Sequence, residues 1–157
     1  MVGCDTRAVP DVTVDLLQVP TPEAVEALNA LLPQVSSRAR SLSAAQVAAV
    51  IANDCTRVLV ARLDGEIVGM ALLLVLTTFT GRSGYVEEVA VDESSRGHGV
   101  STHLMRALLR LAADLDLMFV DLTSRSSREV ANHLYRSVGF TLRETNCYRH
   151  DLMGYRE

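Results

Sequence analysis

Lysine is absent from this chain: all fifteen basic residues are arginine. A P-loop needs Gly-Lys followed by Ser or Thr to cradle a nucleotide, so that form of phosphate site is excluded. Cysteine is scarce, and Cys4, Cys55 and Cys147 lie far apart without the spacing of a zinc site or a disulfide framework. Free thiols in a reducing cytoplasm are the simplest reading, and no metal is expected. Long hydrophobic runs are missing too: the most apolar, Val68 to Leu76, is about half of the ~20 residues that span a bilayer. Met1 to Pro10 carries Asp5 and Arg7 in place of a continuous apolar stretch, which argues against a secretory signal and for a flexible extension. There is no basic run, and a net charge of −4 makes nucleic acid an unsuitable partner. Neither membrane nor nucleic acid is therefore expected among its partners.

What is present is ordinary globular material, 48% hydrophobic and 22% charged in 157 residues. That length supports one domain, placed at residues 11–157, burying roughly two-thirds of its unfolded-chain surface. Residues 11–19 alternate as a first strand. Thr21 or Pro22 opens a helix whose Val25, Leu28, Leu31 and Leu32 share a face and which Pro33 is expected to end. A polar loop, Ser36 to Ser41, leads to a small-residue helix over about 43–54, a segment able to cover a substrate pocket. Arg57–Leu63 and Glu66–Thr77 flank Asp64-Gly65, a strong hairpin signal, and the second run is apolar on both parities, as a strand covered on both faces would be. Residues 80–84 read as a turn.

The stretch from Tyr85 to Leu115 organises the rest. A strand, Tyr85–Val91, leads through a short polar connection to Arg96-Gly97-His98-Gly99-Val100-Ser101, and an amphipathic helix follows with Val100, Leu104, Leu108, Leu111 and Leu115 on one stripe. Glycines let the backbone approach a ligand closely, and the unpaired N–H groups of a first helical turn favour phosphate. Leu117–Thr123 then forms a strand parallel to the first by a right-handed crossover. Ser126-Ser127-Arg128-Glu129 has capping-box spacing and opens a helix with Val130, Leu134 and Val138 toward the core, stopped at Gly139. Phe140–Glu144 and Cys147–Leu152 are expected to close the fold as a hairpin about Thr145-Asn146. A dinucleotide fold fits the glycines poorly: Thr102 replaces the third glycine, and Asp121 lies inside its strand.

The better match is to a different pattern. Val89-Ala90-Val91-Asp92 with Arg96-Gly97-His98-Gly99-Val100-Ser101 resembles the acyl-CoA-binding motif of the GNAT superfamily of N-acetyltransferases, Gln/Arg-x-x-Gly-x-Gly/Ala, with Ser101 where a still smaller residue is usual. Asn132-His133-Leu134-Tyr135 followed by Gly139-Phe140 is similar to the Asn-x-x-Tyr helix and turn of the same family. The element order from residue 11 to 152 agrees. The resemblance implies an α/β (α+β) fold: a mixed, mostly antiparallel sheet with helices on both faces, split where two central strands run parallel and diverge.

It also implies an acetyl-CoA-dependent transfer to an amine, most simply of a small molecule, by direct attack. A protein N-terminus or lysine as acceptor, and a non-catalytic acyl-CoA-binding module, are the alternatives; a homodimer stays open. An alkylamine of pKa near 10.4 must lose its proton, at a cost of about 4–5 kcal/mol at neutrality that a general base offsets. By resemblance Glu87 is that base and Glu88 an acid that binds the amine. In a regular strand the two point to opposite faces, and either reads equally as a solvated carboxylate. Tyr135, with a phenol less acidic than a thiol, is the general acid, reading otherwise as a core aromatic. Backbone groups of Val89, Ala90 and Val91 are expected to hold pantetheine, with an N–H near Val89 or Ala90 as oxyanion donor. Arg96, Gly97, His98, Gly99, Val100 and Ser101 would hold pyrophosphate, the backbone of His98 mattering more than its ring. Asn132 would bond pantetheine or pyrophosphate, and Tyr148 border the acceptor pocket.

Overall fold

The computed structural model describes residues 11–152, so the expected extension at 1–10 lies outside the described residues. Its centre is the hairpin of β2 (Thr56–Leu63) and β3 (Glu66–Thr78), joined at Asp64 and Gly65, both with positive φ as the twist of a two-residue hairpin requires. β1 (Val12–Leu16) pairs antiparallel with β2, β4 (Gly81–Val91) pairs antiparallel with β3, and β5 (Val120–Leu122) pairs parallel with β4. The sheet order is β1-β2-β3-β4-β5, so the expected mixed, mostly antiparallel sheet is what forms.

Period-two alternation divides β2 between two cores. Val58 and Val60 pack beneath α1 (Pro22–Val35) and α2 (Ala44–Ile51), among Leu28, Leu31, Val47 and Met70. Leu59 and Ala61 pack on the other face beneath α3 (Val100–Asp114) and α4 (Glu129–Ser137), among Leu73, Val86, Leu104, Met105 and Leu108. β3 contributes Ile67 and Met70 to one core and Ala71 and Leu73 to the other, which explains its unbroken apolar sequence.

Several local expectations fail for physical reasons. Pro33 does not end α1: it sits in the last turn, where its missing N–H costs a single ladder bond, and the helix continues until Ser36 N donates to Leu32 O. The turn is not at residues 80–84 but at Phe79-Thr80, and Gly84 is a strand residue. A Cβ on Gly84 would stand 2.9 Å from Leu73 Cδ1 and 3.1 Å from Val120 Cγ2, so close packing rather than turning calls for glycine there. Ser126 forms no capping box. Arg128 is the cap residue and makes no side-chain cap bond, because Arg128 N donates to Arg125 O and draws both serines into a preceding turn. Val130 is 87% exposed; Ala131, Leu134, Tyr135 and Val138 form the buried face of α4 in its place.

The closing hairpin is also absent: residues 140–152 hold no strand, and among the described residues the sheet ends at β5. Of the residues meant to alternate, Leu142, Tyr148 and Leu152 are exposed, and Thr145-Asn146 lacks the positive-φ pair that closes a tight hairpin. Arg143 ties this segment to β5 by donating to Asp121 Oδ2 at 2.9 Å.

Candidate active site

β4 is where the two halves of the site meet. Its register with β3 runs Leu72↔Glu87 and then Met70↔Ala90, so Ala71 alone faces both Glu88 and Val89. This is a β-bulge, with Glu88 in the left-handed region at φ 54°. The alternation that would set the two glutamates on opposite faces holds only in a regular strand, and here it is broken. Glu87 lies across from Leu72, which packs with the α1–α2 core, so Glu87 is directed to that side. Glu88 reaches the same side, where it lines an apolar cavity with Leu28, Val47 and Met70. Part of Glu88 remains open to water, yet the surrounding apolar walls raise its carboxyl above the usual glutamate range, and the neighbouring Glu87 charge raises it further.

The other edge of β4 is open. β5 pairs only with Gly84–Val86, and from Glu87 onward β4 has no strand partner on that side among the described residues. Asp92 N donates to Val68 O, so alternation turns the main-chain groups of Ala90 toward β3 and those of Val89 and Val91 toward the open edge. An unpaired strand edge of this kind accepts an extended amide-bearing ligand as a further strand. Ser124, just beyond β5, has a buried hydroxyl oxygen without a hydrogen-bond partner among the described residues, a group that a ligand in the split can satisfy.

The chain leaves β4 through a short 3-10 turn, Glu93–Ser95, capped by Asp92, which accepts from Ser94 N at 2.8 Å. The hydrogen bonds from Ser94 hold the Asp92 carboxyl below its usual range. Gly97 and Gly99 then take φ of 85° and 75°, and Gly99 is the cap residue of α3. With no side chain to cap it, α3 presents its first N–H groups, those of Val100 and Ser101 among them, as an anion cradle. A Cβ on Gly97 would meet nothing within 4 Å, so its surface is open to a ligand. Arg96 is exposed and paired with Glu93 at 3.0 Å, and His98 Nδ1 lies 3.2 Å from Ser95 O.

Tyr135 projects from α4 into the α3–α4 core, 7% exposed, with Phe140 edge-on at 6.0 Å between ring centroids. Burial raises its phenol pKa, against a smaller opposing effect of Arg128, so it stays protonated at neutral pH. Gly139 N donates to Arg136 O and Phe140 N to Tyr135 O, a Schellman ending that places Phe140 against the tyrosine ring. Asn132, one turn earlier, donates through Nδ2 to Arg125 O at 2.9 Å, binding the loop after β5 to α4. Tyr148 stands 88% exposed in the strandless segment and does not line the cavity. Among the described residues no cluster suited to a metal ion occurs, and no helix is long and apolar enough to cross a membrane.

Residues 22–140 match the acetyltransferase (GNAT) family. The chain belongs to that family. It is thus an N-acetyltransferase, and acetyl-CoA is the acetyl donor that the family uses. A sequence comparison with curated proteins returns no match. Among solved structures, an aminoglycoside acetyltransferase from an uncultured soil metagenomic sample, in complex with sisomicin, superposes with a TM-score of 0.77 at 18% identity, over 89% of this chain and 95% of that one. An aminoglycoside N-acetyltransferase in complex with CoA does so with a TM-score of 0.77 at 15% identity, over 90% and 95%. A ribosomal-protein-alanine N-acetyltransferase from Brucella melitensis biovar Abortus 2308 gives 0.72 at 21% identity, over 90% and 99%. At these identities the likeness to this GNAT member is one of fold.

Proposed function

We propose that this GNAT enzyme moves an acetyl group from acetyl-CoA to the amine of a small molecule by direct attack. The observation that carries the reading is the bulge at Glu88. It sets two carboxylates on the side of β4 that holds a cavity, while the other edge of the same strand lies open beside an uncapped helix N-terminus.

Acetyl-CoA supplies an acetyl group activated as a thioester. The open-edge groups of Val89 and Val91 suit its pantetheine amides, the Ser124 hydroxyl and Asn132 would add further hydrogen bonds, and residues 96–101 suit its pyrophosphate. An incoming ammonium is drawn by Glu87 and Glu88, and Glu87 takes a proton from it, directly or through water. Glu88, with its raised carboxyl, stands beside Glu87 as a second proton acceptor. The acceptor nitrogen then forms the carbon–nitrogen bond as the carbon–sulfur bond breaks, with a backbone N–H of β4 favouring the charged carbonyl oxygen. Tyr135, held protonated by burial, is the group suited to deliver a proton to the departing sulfur.

The test is free-thiol release from acetyl-CoA with a panel of amines, for the parent, Glu87→Gln and Tyr135→Phe. Turnover lowered about 100-fold or more in both variants is expected. CoA binding without turnover of any amine would instead identify a non-catalytic binding module and sink the proposal.

A further inference from the structure

The cavity beside Glu88 has a chemistry of its own. Its volume is about 50 Å³, with Leu28 and Leu32 from α1, Val47 and Val50 from α2, and Met70 from β3 among its walls. Glu88 is the single charged side chain lining it. Resting on the acetyltransferase reading above, the geometry points to an acceptor with one ammonium group on a short aliphatic body, the ammonium at the Glu87–Glu88 pair and the hydrocarbon in the cavity.

Three observations select this class. First, the charges are limited: Glu88 is the charged group at the cavity, so one ammonium finds a partner there, whereas the further ammonium groups of a polycation, carried among the apolar walls, would find none. Second, the walls reject hydroxylated rings, since each hydroxyl brought among leucine, valine and methionine loses its hydrogen bonds to water without replacement. Third, the size is limiting: a cavity of about 150 Å³ accepts benzene, so one of about 50 Å³ takes only the end of an alkyl chain and excludes an aromatic or sugar ring. The sisomicin-bound neighbour shares the fold, and by this argument it does not share the acceptor.

A short alkyl amine and the N-terminal residue of a peptide with an aliphatic side chain offer the same chemistry. The experiment separates them. The purified protein is given acetyl-CoA with isopentylamine, leucinamide, a Leu-Gly-Gly peptide, glycinamide or sisomicin, and thiol release is followed. Isopentylamine and leucinamide should exceed glycinamide in kcat/KM by at least about 10-fold, the scale of a single methylene in an apolar pocket. Activity on Leu-Gly-Gly matching that on leucinamide assigns the acceptor to peptides; activity confined to the free amines assigns it to small molecules. Val50→Phe, at a partly exposed wall position, should remove most of the preference for isopentylamine over glycinamide. Should that variant fold poorly, the substrate series on the parent protein decides alone. Equal or better turnover of sisomicin or glycinamide, or none of the aliphatic amines, overturns the inference while leaving the acetyltransferase reading to its own test. Failure of CoA to stabilise the protein removes that reading first.

Discussion

Glu88 and Tyr135 carry opposite lessons at the scale of the residue. The helix and turn that carry Tyr135 were readable from Asn132-x-x-Tyr135 and Gly139-Phe140, because helical spacing and a helix-ending glycine are local signals. Replacing it by phenylalanine keeps the ring that packs edge-on against Phe140, so Tyr135→Phe should change stability by less than ~1 kcal/mol while thiol release falls; urea titration beside the kinetic assay checks both. The orientation of Glu88 was not readable. Alternation assumes a regular strand, and no glycine or asparagine marks residue 88 as left-handed. Its titration gives a prediction with a definite sign. The folded state holds the Glu88 proton more tightly than the unfolded chain, so the residue's contribution to stability falls as pH rises from the ordinary glutamate range, about 4.3, through the raised folded value. Glu88→Gln should therefore melt higher than the parent at pH 7, and the two curves should converge below about pH 4. A variant less stable than the parent at neutral pH would show that the carboxylate is instead satisfied by a partner.

Among the elements, two similar signatures behave differently. Ser43-x-x-Gln46 forms a full capping box at α2, with Ser43 N donating to Gln46 Oε1 at 2.9 Å and Gln46 N to Ser43 Oγ at 3.3 Å. Ser126-x-x-Glu129 forms none. The sequence pattern is the same in kind, and the tertiary setting separates them, since the loop after β5 is drawn back to α4 by Asn132. Ser43→Ala should cost about 1 kcal/mol and Ser126→Ala less than ~0.5 kcal/mol, compared by denaturant midpoint at constant m-value. Gly139 supplies a third case. At φ 103° in the Schellman ending of α4 it should cost about 1–2 kcal/mol when replaced by alanine, with the added effect of loosening Phe140 beneath Tyr135. Equal stability of Gly139→Ala and the parent would rule out that ending.

For the molecule as a whole, ligand binding and folding are linked. CoA at about 100 times its dissociation constant should add roughly 2.7 kcal/mol, a rise of about 5–10 °C in Tm for a chain of this size. Gly97→Asp, which adds a carboxylate to the anion loop, should abolish most of that rise; an undiminished shift would move the phosphate site elsewhere. Sequence alone determined the order of elements along the chain from β1 to α4, the glycine loop feeding α3, and the family, because these rest on local spacing: period two, period 3.6, and glycines where the backbone must turn. Tertiary structure alone decided which face Glu87 and Glu88 share, that residues 140–152 add no strand, and that an apolar cavity stands at the carboxylates. Each of those depends on register between strands or on side chains far apart in sequence, and no short window of residues contains them.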